Sequence, residues 1–407
     1  MTTVFRVFLP FALGYFLSYL FRTVNAVIAP DLVRDVGLNP SDLGLLTSVY
    51  FLSFAAFQLP LGILLDRFGP RRVEAVLLLF AALGAFLFAR ADSLSGLIVG
   101  RALIGLGVSA CLMAAFKAFT LWLPSERLPL ANGIQMISGG AGALAATTPV
   151  EAALALTDWR GVFTIVAGLT LFAALFIFLL VPEQKRSASG ETLGQQLAGV
   201  GAIYSSRTFW RVAPWALTAQ AGYLSIYGLW SGPWLRDVAG FDRMAVANSL
   251  MLVSVSMMLG YFVSGALADR LSRRNVRPMT VAVWGMGAFM LVELALTLQS
   301  ARFAVPLWLM FGFFGASCIL PYAVLSQSFP KTLSGRVNTS LNVLVFVAAF
   351  AAQWMIGVVI ELWPQTASGG YHADGYRAGF AIVLVLQALA AVWFWFFRTG
   401  EKPSEQA

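Results

Sequence analysis

Charged residues are scarce in this sequence, and cysteine and histidine are nearly missing from it. Charged side chains make up 11% of the 407 residues, whereas a typical soluble domain has about 25%. Hydrophobic residues make up 59%, the mean hydropathy is +0.79, and the chain holds two cysteines and one histidine. This composition excludes an ordinary soluble domain and a disulfide framework, and it predicts a polytopic membrane protein.

The sequence also lacks the motifs of the common enzyme classes. It has no Gly-x-Ser-x-Gly elbow, no phosphate-binding Gly-Lys-Ser/Thr loop, no Cys-x-x-Cys and no His-Glu-x-x-His. The single histidine, His372, falls in a predicted loop, so neither a hydrolytic triad nor a histidine metal site can be assembled. We therefore expect no enzyme, no metal centre and no cofactor.

Long apolar segments are what the sequence has in abundance. A membrane-spanning helix needs about 20 predominantly apolar residues, because its backbone polar groups must be satisfied within the segment. Twelve such segments occupy approximately residues 6–29, 43–66, 72–90, 95–121, 129–155, 161–181, 209–236, 244–268, 278–299, 303–327, 336–362 and 376–397. The hydrophilic linker 182–208 separates six from six. We predict an all-α membrane protein with an N-terminal half (1–181) and a C-terminal half (209–407).

The distribution of lysine and arginine accounts for the net charge of +8. With an even number of spans both termini share one side of the membrane, and the loops of that side hold 17 of these residues against 7 on the other. Cytoplasmic loops are enriched in lysine and arginine, so we expect both termini in the cytoplasm of a bacterium and the chain in its inner membrane. The partners expected are lipids and no nucleic acid, and a monomer is expected. Three cations remain within spans: Arg22, Arg101 and Lys117.

The two predicted halves repeat a motif. Residues 62–72, Gly-Ile-Leu-Leu-Asp-Arg-Phe-Gly-Pro-Arg-Arg, close span two, and residues 265–274, Gly-Ala-Leu-Ala-Asp-Arg-Leu-Ser-Arg-Arg, close span eight. Repeats of this kind are expected of transporters whose two halves surround a site near the bilayer midplane.

This repeated loop resembles the signature loop of the major facilitator superfamily, and Arg101–Gly107 in span four resembles a second motif of that superfamily. The resemblance covers all twelve spans and implies a secondary transporter that works by alternating access between its halves. It also implies gating or conformational roles for the motif charges Asp66, Arg67, Arg71, Asp269, Arg270 and Arg101.

Span one carries a polar face. Tyr15, Ser18, Tyr19, Arg22 and Asn25 follow steps of three and four, so they share one side of a helix. Ionisable groups at membrane depth usually face the bundle interior or a watered cavity. Snorkelling of Arg22 to the membrane surface would need no aligned polar neighbours. We therefore predict that Tyr15, Tyr19, Arg22 and Asn25 bind the substrate.

Span seven, the symmetry mate of span one, carries Gln220, Tyr223, Tyr227 and Trp230 at similar steps. Aromatic stripes are more often packing than binding sites, but Gln220 and the symmetry favour a binding wall. Tyrosine-lined walls with one cation suit an amphipathic organic anion. Lys117 in span four either adds a second cation to the cavity or reaches the cytoplasmic surface.

Residues 19–32 are similar to the first span of the organophosphate:phosphate antiporters and the anion:cation symporters. Both branches place a substrate-binding arginine there, which implies this role for Arg22. The antiporters have a second binding arginine in span seven, where residues 224–228 of this chain contain no cation. A carboxylate therefore fits this one-arginine site better than a phosphate dianion.

Proton coupling usually needs a carboxylate that titrates inside the membrane. The candidates are Glu151, near the outer end of span five, and Glu293 in span nine. Exchange against a counter-anion needs neither, so symport and antiport both stay open. Two further functions stay open as well. One is a drug:proton exporter, which Arg101 would support, and the other is a transporter-like sensor that binds an organic anion.

Overall fold

The regular structure of the described residues is helical. The structure is a computed structural model and describes residues 2–123, 128–182, 193–298, 301–330, 333–366 and 369–397. Its helices in the first predicted half are α1 (Thr2–Thr23), α2 (Asn25–Val36), α3 (Pro40–Arg90), α4 (Leu94–Gly107), α5 (Cys111–Trp122), α6 (Leu128–Ala145), α7 (Thr148–Leu154) and α8 (Trp159–Leu180). The remaining helices are α9 (Leu193–Tyr204), α10 (Arg207–Ser225), α11 (Ser231–Asp237), α12 (Arg243–Ser272), α13 (Pro278–Thr297), α14 (Ala304–Gly315), α15 (Leu320–Gln327), α16 (Ser334–Glu361) and α17 (Ala373–Phe396).

Several predicted spans are broken helices. Span one is α1 followed by α2, with a bend of 48° between them. Span seven is α10 and α11 joined by a π-helical turn, Ile226–Trp230, and π turns inside α-helices are frequent at functional sites. In α3, Gly69 has φ 79° and ψ 159°, a conformation open to glycine but not to residues with a Cβ. This glycine separates spans two and three.

Eight helices of the described residues are long and apolar enough to cross a membrane, or nine if α1 and α2 form one span. The other predicted spans, two, five and seven, are helical as well, in the first part of α3, in α6 with α7, and in α10 with α11. The all-helical membrane fold is confirmed, and the count of twelve spans and the boundaries of the two halves stay predictions.

The helices pack mainly within each predicted half. In the first half α3 packs on α4 and α8, and α1 on α6; in the second half α12 packs on α14, and α10 on α16 and α17. Contacts between the halves come from α16 against α3, α12 against α6 and α7, and α11 against α2. The last contact is very close, because a Cβ on Gly232 would collide with the carbonyl oxygen of Ala26.

Candidate functional site

A cavity of about 330 Å³ lies between the two predicted halves. Helices α1, α3, α5 and α6 line it from the first half, and α10, α12, α15 and α16 from the second. Its polar lining residues are Tyr15, Ser18, Tyr19, Arg22, Gln58, Ser109, Gln220, Tyr261, Tyr322, Asn338 and Asn342. Among the described residues, the lining of the cavity therefore combines one guanidinium with neutral hydrogen-bonding groups and no carboxylate.

Arg22 sits near the end of α1 and is held by aromatic rings. Its Cζ atom lies 4.6 Å from the ring centroid of Tyr19, 5.4 Å from that of Phe346 and 5.6 Å from that of Phe54. Aromatic faces attract a guanidinium electrostatically without neutralising it. Phe346 comes from the second half, so both halves contribute to the surroundings of this cation.

The charge of Arg22 has no carboxylate partner in the part of the chain that the structure describes. Its side chain is 9% exposed, and its Nε atom has no hydrogen-bond partner. Buried charges in proteins are normally paired or hydrogen-bonded. Arg22 is therefore a buried cation in the cavity wall that no described carboxylate neutralises.

Four of the nine predicted substrate-binding residues line this cavity, and the other five do not. The four are Tyr15, Tyr19, Arg22 and Gln220. The five are Asn25, Lys117, Tyr223, Tyr227 and Trp230.

Several of the predicted binding residues outside the wall are engaged in packing. The amide of Asn25 donates to Thr47 Oγ1 at 2.9 Å, and the indole of Trp230 donates to the carbonyl of Gln353 at 3.1 Å. The rings of Tyr223 and Tyr227 stack, with their centroids 5.7 Å apart. These side chains lie behind the cavity wall. The sequence placed them in the wall because helical spacing alone does not distinguish the cavity-facing side of a helix from its packed side.

The two remaining cations of the spans have different surroundings. Lys117 lies in α5 and is half-buried. Arg101 is fully buried, and its Nη1 donates to the carbonyl of Phe21 at 2.8 Å. Carbonyls at helix ends lack intrahelical partners, so Arg101 fastens α4 to α1 beside Arg22, just before the bend into α2.

Sequence reasoning missed several polar residues of the cavity wall. They are Gln58, Ser109, Tyr261, Tyr322, Asn338 and Asn342. Asn338 and Asn342 are four residues apart on α16, the spacing of one helix face. That pair of amides in an otherwise apolar span is a signal that could have located this wall.

An ion-pair cluster joins the halves on the distal side, which we define as the side of the membrane opposite the N-terminus. Arg243, the first residue of α12, donates to both oxygens of Asp31 at 2.9 Å and 2.5 Å. Its Nε donates to Glu151 at 2.5 Å. Nearby, the hydroxyl of Thr148 donates to Asn248 at 3.0 Å. In this conformation the distal ends of the two halves are held together.

The motif loops lie at the opposite ends of these helices. Arg71 donates to the carbonyl of Phe178 at 2.8 Å, and the guanidinium of Arg67 lies 5.3 Å from the ring centroid of Phe68. The side chain of Asp66 lies outside the described residues. In the second copy, Asp269 pairs with Arg273 at 3.0 Å and Arg270 is exposed.

The two proton-coupling candidates lie in unlike places. Glu151 belongs to the distal cluster, where one of its oxygens pairs with Arg243 and the other has no partner. Glu293 is fully buried and accepts a hydrogen bond from Gln387 of α17 at 2.7 Å. Neither residue lines the cavity. Among the described residues, no group of acidic, cysteine or histidine side chains could hold a metal ion.

Comparison with known proteins identifies the family. The sequence pattern of the Major Facilitator Superfamily matches residues 11–353, well over half of the chain. The chain belongs to the major facilitator superfamily. The predictions of this superfamily and of a membrane-embedded transporter rather than an enzyme are confirmed.

The names of two relatives of this protein refer to organic anions. It is 26% identical to the "Probable sulfoacetate transporter SauU" of Cupriavidus necator, over 97% of this chain and 94% of the relative. It is 23% identical to the "Probable L-galactonate transporter" of Escherichia coli K12, over 85% and 80%. Its fold matches a bacterial homolog of the human lysosomal transporter Spinster, in an inward-facing and occupied conformation. The TM-score is 0.80 at 18% identity, over 99% of this chain and 100% of the homolog.

Proposed function

We propose that this protein is a secondary transporter that moves a small organic anion by alternating access, and that Arg22 binds the anionic group. The observation that carries this proposal is the guanidinium of Arg22. It is a buried cation in the wall of a cavity between the halves, surrounded by rings and unpaired with any described carboxylate. A carboxylate or sulfonate would complete its hydrogen bonding, since charge-assisted pairs of this kind are strong and can be bidentate.

The rest of the cavity suits a polar anion. Gln220, Tyr322, Asn338 and Asn342 offer neutral donors and acceptors from the second half. These groups would bind hydroxyl or second carboxyl groups of a substrate held at one end by Arg22. The names of the relatives, which refer to sulfoacetate and L-galactonate, support this class.

The orientation in the membrane follows from the loop charges. The loops on the side of the termini hold 17 lysines and arginines against 7 on the distal side, which supports cytoplasmic termini in an inner membrane. In that orientation the cluster around Arg243 closes the cavity toward the outside.

Counterflow in proteoliposomes tests the proposal. Purified protein is reconstituted, vesicles are loaded with one unlabelled anion, and uptake of labelled sulfoacetate, galactonate, galacturonate and a neutral sugar is compared. We expect saturable uptake of at least one anion and none of the neutral sugar. Arg22→Gln should raise KM about 10- to 100-fold, because a hydrogen bond to a charged group contributes about 1.5–3 kcal/mol.

Arg90→Gln is the matched control. Arg90 is an exposed arginine at the end of α3, with its guanidinium 5.4 Å from the Phe86 ring centroid, and its replacement should leave KM unchanged. Equal KM values for wild type and Arg22→Gln would overturn the assignment of Arg22. Binding of an anion without any flux would favour a sensor over a transporter.

A further inference from the structure

Glu74 is a buried acid near the start of predicted span three that neither the motifs nor the cavity accounts for. It lies in α3, within span three, and is fully buried. Among the described residues, no nitrogen or hydroxyl group donates a hydrogen bond to its carboxylate oxygens. An unpaired carboxylate anion in such surroundings is very costly, and a buried acid avoids that cost by holding a proton. In this conformation the surroundings of Glu74 favour its neutral, protonated form.

The described contacts of Glu74 on helices α1 and α5 are uncharged. On α1 it meets Gly14 so closely that a Cβ there would collide with Glu74 Oε1. On α5 the titratable group that faces it is the thiol of Cys111.

Two buried or half-buried cations of other helices that pack on α3 are engaged elsewhere. Arg101 of α4 bonds to Phe21, and Arg160 of α8 bonds to Asp92. None of the described lysines and arginines pairs with Glu74.

Glu74 lies directly behind the cavity wall. Its neighbour Gly14 precedes Tyr15 on α1, and its neighbour Cys111 precedes Leu112 on α5, and both Tyr15 and Leu112 line the cavity. The helix that covers Glu74 is thus the helix that carries Arg22. A shift of α1 away from α3 would expose the acid, and its return would cover it again.

We propose that Glu74 binds and releases the proton that drives transport, so that this protein is a proton:anion symporter. This inference rests on the proposed function, and it adds the coupling ion and the residue that carries it. The ionised carboxylate takes up one proton when α1 leaves it open to water on one side of the membrane. The neutral acid is then covered by α1, and the proton leaves on the other side. One proton moving with one monoanion transfers no net charge.

Two assays on the same proteoliposomes separate this inference from the proposed function. Counterflow measures anion exchange without a driving force, and uptake under an imposed pH gradient measures coupling. For wild type we expect counterflow and also accumulation. The ratio of inside to outside concentration of a monoanion should rise about tenfold for each pH unit of the imposed gradient. Glu74→Gln should keep counterflow and lose accumulation, because the amide is neutral like the acid and cannot release a proton.

Two further variants complete the test. Glu361→Gln replaces an exposed glutamate at the end of α16 and should keep both activities. Glu293→Gln replaces the other fully buried glutamate of a spanning helix. This variant tests whether Glu293, rather than Glu74, carries the proton. Accumulation that persists in Glu74→Gln, or that is lost only in Glu293→Gln, overturns the inference. Counterflow in wild type without any response to a pH gradient overturns it too, while leaving the proposed function intact.

A measurement on the wild-type protein covers the case in which Glu74→Gln fails to fold. Infrared difference spectra, recorded on adding the transported anion, should show a change in the carbonyl stretch of a protonated carboxylic acid. The conservative variant Glu74→Asp should shift that band. A wild-type spectrum without any protonated-acid signal, or a band unaffected in Glu74→Asp, contradicts the inference.

Discussion

At the residue scale the cavity is characterised by one cation whose immediate neighbours are aromatic rings. A nearby carboxylate would compete with the substrate for Arg22, whereas rings stabilise the guanidinium and leave its donors available. Arg101 shows the opposite arrangement, because its guanidinium is already bonded to the backbone of α1. Two buried arginines within one half thus have different tasks, one at the cavity and one in helix packing.

Gln220 is a cavity residue of the second predicted half with an unpaired side-chain atom. It lines the cavity, and its Oε1 atom is buried without a partner. We expect Gln220→Ala to raise the KM for the transported anion about 2- to 12-fold, since a neutral hydrogen bond contributes about 0.5–1.5 kcal/mol. Counterflow kinetics measure the change. Gln365→Ala, at an exposed position, serves as control, and the same KM in both variants would remove Gln220 from the binding site.

Arg101 should matter for stability. Arg101→Met removes the hydrogen bond to Phe21 and leaves that carbonyl without this donor. We expect a loss of about 1.5–3 kcal/mol in the free energy of unfolding, seen as a lower melting temperature in detergent. The exposed Arg90→Gln provides the reference. An unchanged melting temperature in Arg101→Met would show that the contact contributes nothing to packing.

At the element scale the breaks in helices are where the two halves meet. The bend between α1 and α2 and the π turn between α10 and α11 occur in symmetry-related spans. The segments beyond these breaks, α2 and α11, pack against each other on the distal side. Because Gly232 has no side chain, the backbones of these two segments approach closely.

Gly232→Ala should separate α2 from α11, because its Cβ would collide with Ala26. We expect the distal side to open more often, at the expense of the conformation described here. Gly228→Ala is a matched control one turn earlier, where the nearest atom to a new Cβ is the Arg22 carbonyl oxygen at an ordinary 3.9 Å. Labelling of a cysteine at Ala247 reports the opening. Equal labelling in both glycine variants would contradict this expectation.

At the scale of the whole molecule, alternating access requires contacts that form in one state and break in the other. The cluster of Arg243 with Asp31 and Glu151 is such a contact, because its members belong to different halves. Arg243 is 40% exposed, so water screens part of the attraction. We therefore expect the cluster to bias the equilibrium modestly and to break during transport.

Arg243→Gln should favour opening of the distal side. Removing a partly exposed ion-pair cluster changes the equilibrium by about 1–2 kcal/mol, or about 5- to 30-fold. Ala247 lies one turn after Arg243 on the same face of α12 and is 1% exposed, so Ala247→Cys reports the change through its rate of maleimide labelling. The two native cysteines are buried. Arg302→Gln is the control, and a labelling rate unchanged by Arg243→Gln would rule out a latch.

The sequence predicted the environment of span one better than that of span seven. Tyr15, Tyr19 and Arg22 line the cavity as their helical spacing suggested. In span seven the same reasoning found Gln220 but assigned Tyr223 and Tyr227 to the wall, whereas they stack on each other behind it. Tyr223 lies before the π turn, on a side of α10 that packs against Phe289 and Phe311. Tyr227 lies within the π turn, whose register a pattern based on 3.6 residues per turn does not anticipate.

The amino-acid sequence by itself determined that this chain is a helical membrane transporter of the major facilitator superfamily. Hydropathy and loop motifs are local properties, and they express the cost of exposing backbone and charge to lipid. Only the tertiary structure decided which polar side chains share one cavity and that Arg243 meets Asp31, 212 residues away in the chain. It also revealed Glu74 beneath α1. Such pairings depend on how distant helices pack, which no local pattern encodes.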